Sequence, residues 1–304
     1  MKPSIKDSSV AIILLNWNGF DFTKACIESL RKISYPNFQV ILVDNGSTDD
    51  SIKRLTELFP EVIFLTSAVN LGFTGGNNLG IRHALRNDFE FILLLNNDTL
   101  VEEDFLEPMV GHLLATPSCA AVQPLIYFVY DKEKLWNAGG NYWKWWGNSE
   151  TSYVIQDVDQ PYSTDWITGC AILLKTSAIE EVGLLDDAYF AYYEDVDWSL
   201  RLRKAGMTLA VVPKSKIYHV AGASSTSKTR GKEGFLDPRV HYLNVRNQLF
   251  QLRKYALFPY ALTAWPYNAA KIAAFMGYFL IKGRWEKFKA TIKGVREGVF
   301  KDIA

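Results

Sequence analysis

At 304 residues the chain is long enough to bury a large core, and it suits one sizeable domain with an appendage. Lys+Arg and Asp+Glu are each 33, so the formal net charge is zero and nothing favours a non-specific grip on nucleic acid. The three cysteines, Cys26, Cys119 and Cys170, lie far apart without metal-ligand spacing. That argues against a disulfide framework and for a reducing, cytoplasmic compartment. Met1 to Ser9 holds charges but no apolar run, so no secretory signal peptide is expected.

From there, short β-rich runs alternate with helical patterns. The residues predict a strand over 10–15, the turn Asn16-Trp17-Asn18-Gly19, and a helix carrying Phe22, Cys26, Leu30 and Ile33. A second strand over 38–43 ends at Asp44-Asn45-Gly46-Ser47, and Ser47 with Asp50 suggests a capping box for a helix running to Phe59. A third strand is expected over 62–65. The stretch Asn70 to Asn78 reads as a glycine-rich loop entering a helix that runs to Arg86. The most apolar strand, 89–95, stops abruptly at Asn96-Asn97-Asp98-Thr99. This order predicts an α/β fold with a mostly parallel central sheet flanked by helices. In such sheets ligands bind beyond the carboxyl ends of the strands, where Asn16, Asp44 and Asp98 all fall.

Further along, a strand is expected over 121–127. Residues 136–166 are rich in Trp and Tyr, suited either to stacking on sugar rings or to the core of an inserted subdomain. A strand over 166–175 and a helix to Val182 precede the acidic segment Glu194-Asp195-Val196-Asp197. Its acids open a helix that Arg201, Arg203 and Lys204 close, as the helix dipole favours. Closing strands are expected over 208–212 and 216–220, and a Gly/Ser/Thr/Lys-rich loop over 222–234. Residues 251–304 carry ten Lys/Arg against three Asp/Glu, so charge as well as pattern marks a boundary. Domains are therefore expected over 1–235 (a donor half to about 125, then an acceptor half) and over 236–304, a helical, basic extension. The apolar run 255–281 is interrupted by Pro259, Pro266, Asn268 and Lys271, which disfavours a spanning helix. Lys282 to Lys301 interleaves bases with Trp285, Phe288, Ile292, Val295 and Phe300, a composition suited to an anionic membrane surface. An ordinary basic helix packed on the main domain is the alternative.

Single motifs are ambiguous. Asp44 at a strand end suits a ribose hydroxyl or a base N–H, but also a plain Asp-Asn-Gly turn. Asn-Asn-Asp at a strand terminus offers hard oxygen ligands for Mg²⁺ or Mn²⁺, or a helix cap. His219 is either a core histidine or an imidazole ligand that favours Mn²⁺. A carboxylate among aromatic rings, as at Glu194 and Asp195, has the raised proton affinity a general base needs.

Taken in order, residues 10–19 (VAIILLNWNG), 40–51 (VILVDNGSTDDS), 70–80 (NLGFTGGNNLG), 93–99 (LLLNNDT), 166–170 (WITGC) and 193–198 (YEDVDW) resemble glycosyltransferase family 2. The resemblance covers about residues 8–250 and is nearest to the family's rhamnosyltransferase-like branch. It implies a GT-A fold, with a nucleotide-binding α/β half and an acceptor half. It also implies a nucleotide-diphosphate sugar donor (dTDP-rhamnose or a UDP-sugar), a divalent metal (Mn²⁺ or Mg²⁺) and inversion at the anomeric carbon. By the same resemblance Asp195 is the base, with Glu194 and Asp197 in support, and Asp98 and His219 are the metal ligands. Asn16, Asn18, Asp44, Asn45, Gly72, Gly75, Asn77, Asn78, Asn97 and Asp98 are expected at the donor. Trp166, Thr168, Gly169, Glu194 and Arg246 are expected at the acceptor, a glycan or lipid-linked glycan. Asn96 stands where the family's metal motif has its first acid, which weakens the metal's charged ligand set. The place expected for the chain is peripheral, on the cytosolic face of the membrane. The alternatives are a sugar-1-phosphate nucleotidyltransferase and a non-catalytic nucleotide-sugar-binding scaffold.

Overall fold

The computed structural model describes residues 5–220, 226–231 and 234–303. Its first part alternates β1 (Val10–Asn16), α1 (Phe20–Leu30), β2 (Phe38–Asn45), α2 (Ser51–Leu58), β3 (Ile63–Ser67), α3 (Gly72–Arg86) and β4 (Phe91–Asn96). Next come β5 (Thr99–Val101), α4 (Leu106–Ala115), β6 (Cys119–Phe128), β7 (Asp131–Asn137), β8 (Gly140–Trp143), β9 (Asn148–Thr151) and β10 (Tyr162–Ser163). Then follow β11 (Ala171–Lys175), α5 (Thr176–Val182), α6 (Glu194–Lys204), β12 (Thr208–His219), β13 (Thr226–Gly231) and β14 (Gly234–Leu236). The helices α7 (Pro238–Tyr255), α8 (Ala261–Ile281) and α9 (Trp285–Phe300) close the chain.

The chain divides into two compact units. One comprises Met1–Asn141, Thr151–Phe190 and Glu194–Ala221, and the other Tyr142–Glu150, Ala191–Tyr193 and Gly222–Ala304. The first holds a ten-stranded sheet with the path β3-β2-β1-β4-β11-β6-β12-β10, while β5 and β7 pair with β12 and β6. β1, β2, β3 and β4 run parallel, as do β6 and β12, whereas β11 lies antiparallel between β4 and β6. The register sets the site. Val10 lies opposite Phe38 and Phe91, which brings Asn16 level with Asp44 and Leu15 level with Asn96.

A central parallel strand is covered on both faces, so it reads as an unbroken apolar run. Val10–Leu14 and Ile92–Leu94 are fully buried for that reason. Ile12, Leu14, Leu42 and Leu93 pack under Cys26, Ile27, Leu30, Leu55 and Met109. On the other face Ile13, Ile41, Val43 and Leu94 meet Ile81, Ala84, Trp198 and Leu202. Each such side chain contributes about 1.5–3 kcal/mol by leaving water.

Several expectations need correction. The stretch Asn70 to Asn78 is not a loop: the helix begins at Gly72, and Gly76 and Gly80 lie on its inner face. A Cβ at Gly76 would lie 2.4 Å from Leu15 Cδ1, and one at Gly80 would lie 2.6 Å from Ile13 Cγ2, so the glycines let α3 press onto β1. Ser47 does not form a capping box, because its hydroxyl bonds Asp44 and receives the Asn18 N–H, and α2 starts at Ser51. On α1 the buried stripe is Thr23, Cys26, Ile27 and Leu30, while Phe22 is exposed. The strand expected from Trp166 begins only at Ala171. The two strands expected over 208–220 are one, β12, whose register slips between Val212 and Lys216, where Pro213 cannot donate to the ladder. The loop expected over 222–234 lies partly outside the described residues, and within it β13 pairs with β14.

In the second unit, α9 packs on α7 through Gly294 and Gly298, where added Cβ atoms would meet the Tyr242 carbonyl and Leu249, each at 2.8 Å. The tip joining β8 to β9 rests on α7 and α8. Thr263 donates to the Trp145 carbonyl (2.5 Å), Asn268 to that of Trp146 (2.8 Å) and Gln248 to that of Gly147 (2.6 Å). Trp143, Trp145 and Trp146 are about half exposed. Among the described residues no helix is long and apolar enough to cross a membrane.

Candidate active site

The carboxyl ends of β1, β2 and β4 meet in the first unit. Asn16, fully buried at the end of β1, donates through Nδ2 towards Asp44 Oδ1 (3.2 Å), Ser47 Oγ (3.2 Å) and Ser51 Oγ (3.1 Å). Asp44 also accepts from the Ser47 hydroxyl (2.5 Å) and the Ser47 N–H (3.3 Å). Asn18 is exposed, with φ of 50°, and its Oδ1 accepts from the N–H groups of Thr48 (2.8 Å) and Asp49 (3.3 Å). Asn45 ties β2 to α3: it donates to the Gly72 carbonyl (3.0 Å) and accepts the Leu71 N–H (2.9 Å). Asp44 is thus held rigidly at a strand end, with Asn18 on the open side of the same turn.

The α3 residues expected at the donor lie further inside. Gly72 has φ of 77°, a conformation that disfavours a side chain, and a Cβ there would lie 2.4 Å from the Phe190 carbonyl oxygen. Gly75 packs beside Leu71. Asn77 is buried and donates to the Phe73 carbonyl (2.8 Å). Asn78 donates to the Leu185 carbonyl (2.8 Å) and to Asp187 (2.7 Å), and accepts the Leu185 N–H (3.1 Å). Both amides therefore brace the protein's own backbone.

Beyond β4 the chain turns at Asn97-Asp98 into β5, not into a helix, because Thr99–Val101 pairs with the end of β12. That pairing sets His219 opposite Thr99 and brings His219 Nε2 to 3.1 Å from Asp98 Oδ1. Both side chains are largely buried, Trp136 lies edge-on to the imidazole with ring centroids 4.5 Å apart, and Nδ1 has no hydrogen-bond partner. Burial works against a charged imidazole, but Cys170 and the Asp98 carboxylate outweigh it and hold the His219 pKa at about 10. Once Nε2 gives up its proton, this carboxylate oxygen and imidazole nitrogen would form a donor set that fits Mn²⁺ better than Mg²⁺. Among the described residues no group of three His, Cys, Asp or Glu could hold a metal, so a cation here would depend on water and phosphate oxygens for its other ligands.

Asp195 lies in the first turn of α6. Its Oδ2 accepts the Gly169 N–H and its Oδ1 that of Val196, both at 2.8 Å. The loop over 166–170 is itself pinned. Ile167 N–H donates to Ser199 Oγ (3.1 Å), and Thr168 N–H to Gln123 Oε1 (3.1 Å). Trp166 and Thr168 are buried, and Trp166 Nε1 donates to the Asn141 carbonyl (3.3 Å), so both support the loop from within. The Cys170 carbonyl, next in the chain, accepts the Asn96 N–H at 2.9 Å, so the loop that holds Asp195 also abuts the end of β4 just before Asp98. Burial pushes the Cys170 thiol pKa up, and His219 beside it acts the other way.

Helical spacing separates the three acids. Burial raises the Asp195 carboxyl above its ordinary range, and the N–H groups of Gly169 and Val196 offset this only in part. Glu194 is raised well above its range, first by burial and then by the Asp195 and Asp197 charges, and its Oε2 is buried without a hydrogen-bond partner. Asp197 is held differently. It is fully buried, holds Arg201 Nε at 2.9 Å and accepts the Tyr189 hydroxyl at 3.3 Å. Arg201 in turn donates to the carbonyls of Val182 (2.7 Å) and Leu184 (2.8 Å), so the pair fastens α6 to the chain after α5.

Arg246 lies in the other unit, on α7, largely buried, with Nε 2.9 Å from Asn247 Oδ1 and Nη1 3.1 Å from the Tyr242 hydroxyl. Asn247 beside it donates to the carbonyls of Ala191 (2.8 Å) and Tyr192 (2.7 Å). Sequence reasoning read Ser47 only as a helix cap and passed over Gln123, Ser199 and Thr23, although the polar groups of all four hold the turns. Thr23 alone left a trace, as a polar residue three before Cys26 on the apolar stripe of α1.

A family model described as glycosyl transferase family 2 matches residues 9–183, more than half of the chain. The chain belongs to this family. It is 27% identical over 203 residues to N-acetylglucosaminyl-diphospho-decaprenol L-rhamnosyltransferase of Mycobacterium tuberculosis, covering 59% of this chain and 66% of that relative. It is 23% identical over 228 residues to the dTDP-rhamnosyl transferase RfbF of Shigella flexneri, covering 74% of each. Among solved structures, mannosyltransferase PcManGT from Pyrobaculum calidifontis in complex with GDP-Man and Mn²⁺ superposes with a TM-score of 0.59. Identity there is 16%, with 96% of this chain and 88% of that chain covered. That likeness shows the GT-A fold.

Proposed function

We propose that the chain is an inverting glycosyltransferase that moves a sugar, rhamnose foremost, from a nucleoside diphosphate to a hydroxyl of a glycan or lipid-linked glycan. The observation that carries this reading is that the loop over 169–170 bonds both Asp195 and the end of β4, beside the Asp98–His219 pair, at the same sheet edge as Asp44. The names of the two rhamnosyltransferase relatives support a dTDP-linked donor and a lipid-diphosphate acceptor. A UDP-sugar is the other candidate.

In this reading Asp44 receives the nucleoside, fixed in place by Asn16 and Ser47, and Asn18 lies at the mouth of the same turn. Asp98 and His219 hold a divalent cation, as the Mn²⁺ complex of the mannosyltransferase suggests. When bound, that ion supplies charge neutralisation for the departing diphosphate. Asp195, aimed by the Gly169 N–H and raised in proton affinity by burial, accepts the proton of the attacking acceptor hydroxyl. Glu194 beside it is raised further still, by burial and by the Asp195 and Asp197 charges, which disfavours a second negative charge facing the acceptor. Attack from the face opposite the leaving group inverts the anomeric centre. Configuration analysis of the first-formed product tests this: an inverted linkage with release of nucleoside diphosphate is expected. Retention, or release of pyrophosphate, would contradict it.

The second unit suits a membrane surface. Trp285, Ile292 and Val299 recur every seven residues on the exposed side of α9, with Lys289 and Lys293 exposed beside them. Apolar side chains rimmed by bases favour an anionic interface. Flotation with anionic vesicles should be lost when residues 255–304 are removed, and undiminished flotation would rule this surface out.

A further inference from the structure

Thr23 is fully buried in the first turn of α1, one turn beyond Gly19, whose carbonyl accepts its N–H at 3.0 Å. Its hydroxyl is used twice. Asn97 Nδ2 donates to Thr23 Oγ1 at 2.7 Å, and Thr23 Oγ1 donates to Asn16 Oδ1 at 2.9 Å. Asn16 then donates to Asp44 at 3.2 Å. One directional chain of hydrogen bonds therefore runs from the turn that carries Asp98, through α1, to the carboxylate at the end of β2. Bonds linked head to tail in a buried setting polarise one another, so the chain is stiffer than its separate members. Gly19 leaves room for it, since a Cβ there would lie 3.0 Å from Asn97 Nδ2 and 3.3 Å from Asn16 Oδ1.

We propose that Thr23 is a positioning residue that locks the nucleoside-holding turn of Asp44 and the diphosphate-facing turn of Asn97–Asp98 into one register. A nucleoside diphosphate must engage both turns at once, and each is attached to a different strand. Without the hydroxyl, Asn97 Nδ2 loses its acceptor and Asn16 Oδ1 its donor, so Asn16 still holds Asp44 but no longer couples it to Asn97. Cys26, one turn along the same face, approaches the second turn only through weak sulfur contacts to the Asn96 carbonyl (3.9 Å) and Thr99 (3.8 Å). It is a natural control.

The inference rests on the proposed nucleotide-sugar site. Its test uses the full chain and a panel of dTDP, UDP and GDP, each titrated with and without Mn²⁺ by calorimetry and by thermal unfolding. In the wild type Mn²⁺ should tighten the preferred nucleotide. In Thr23→Val that tightening should largely vanish, with binding in Mn²⁺ weakened tenfold or more, while Thr23→Ser stays within about twofold of wild type because it keeps both hydrogen bonds. Cys26→Ala should lower the unfolding temperature without changing the tightening. If Thr23→Val does not fold, Thr23→Cys replaces it, having a similar size and a much weaker donor. Wild-type tightening in Thr23→Val or its substitute, or equal loss in Cys26→Ala, would overturn the role of Thr23 alone. A wild type that binds none of the three nucleotides would overturn the site reading itself and the inference with it.

Discussion

Replacing Asp195 by Asn is expected to lower kcat by about 10²–10⁴-fold, the usual contribution of a positioned general base, and to leave donor binding unchanged. Asn has the same size and can still accept the Gly169 N–H, so the loop over 166–170 should keep its course. What it cannot do is take a proton. The pH dependence follows from the same burial. Desolvation raises both carboxyls, and the Asp195 charge raises Glu194 further, so the pair completes its ionisation above the ordinary range near about 4. The acid limb of kcat should therefore lie above that range in the wild type and be absent in Asp195→Asn. Stability has the opposite sign. Folded-state values that are raised mean that the folded chain holds protons which the unfolded chain releases. Their stabilising contribution is complete below about 4 and is lost as pH climbs through the raised values. Rate profiles and unfolding temperatures across the same pH series would expose both trends, and a wild-type limb at the ordinary carboxylate range would contradict the assignment.

Asp197→Ala is expected to act on the fold instead, at a cost of about 3–5 kcal/mol for breaking a buried ion pair. The value should fall toward the lower end, because the Arg201 side chain is 22% exposed and water can reach it. Arg201 would also lose the partner that aims it at the carbonyls of Val182 and Leu184, and Tyr189 would lose its acceptor. Urea unfolding measures the loss, with Asp195→Asn as the control that should show none of this size. A variant of wild-type stability without turnover would return Asp197 to the chemistry.

Much of the sheet edge that carries the candidate site was legible because a buried parallel strand writes itself as an apolar run, and its end is marked where that run meets Asn16, Asp44 or Asp98. Order did the rest, since β1, β2 and β4 are neighbours and their ends must meet. The acids after Tyr193 were legible as a helix start, but not as three different roles. Which of Glu194, Asp195 and Asp197 faces Gly169 and which faces Arg201 depends on the rotation of α6, and sequence spacing does not fix that. The glycines of α3 misled for a related reason. Glycine reads as a turn, yet Gly76 and Gly80 are one helical turn apart and serve close packing on Ile13 and Leu15. Ser47 misled as a cap because Asp44 and Asn18, distant or unremarkable in sequence, compete for its hydroxyl. The pairing of β5 with β12, which delivers His219 to Asp98, joins residues more than a hundred positions apart and had no local signal.

The most direct measurement is protection against thermal unfolding across a panel of nucleotide sugars, with and without Mn²⁺, since a ligand that binds only the folded chain raises its unfolding temperature. One donor, dTDP-rhamnose before the UDP-sugars, should protect clearly, more so with Mn²⁺, and Asp98→Ala should remove the Mn²⁺ increment. Indifference to every nucleotide sugar, with or without the metal, would contradict the assignment of this sheet edge to sugar transfer.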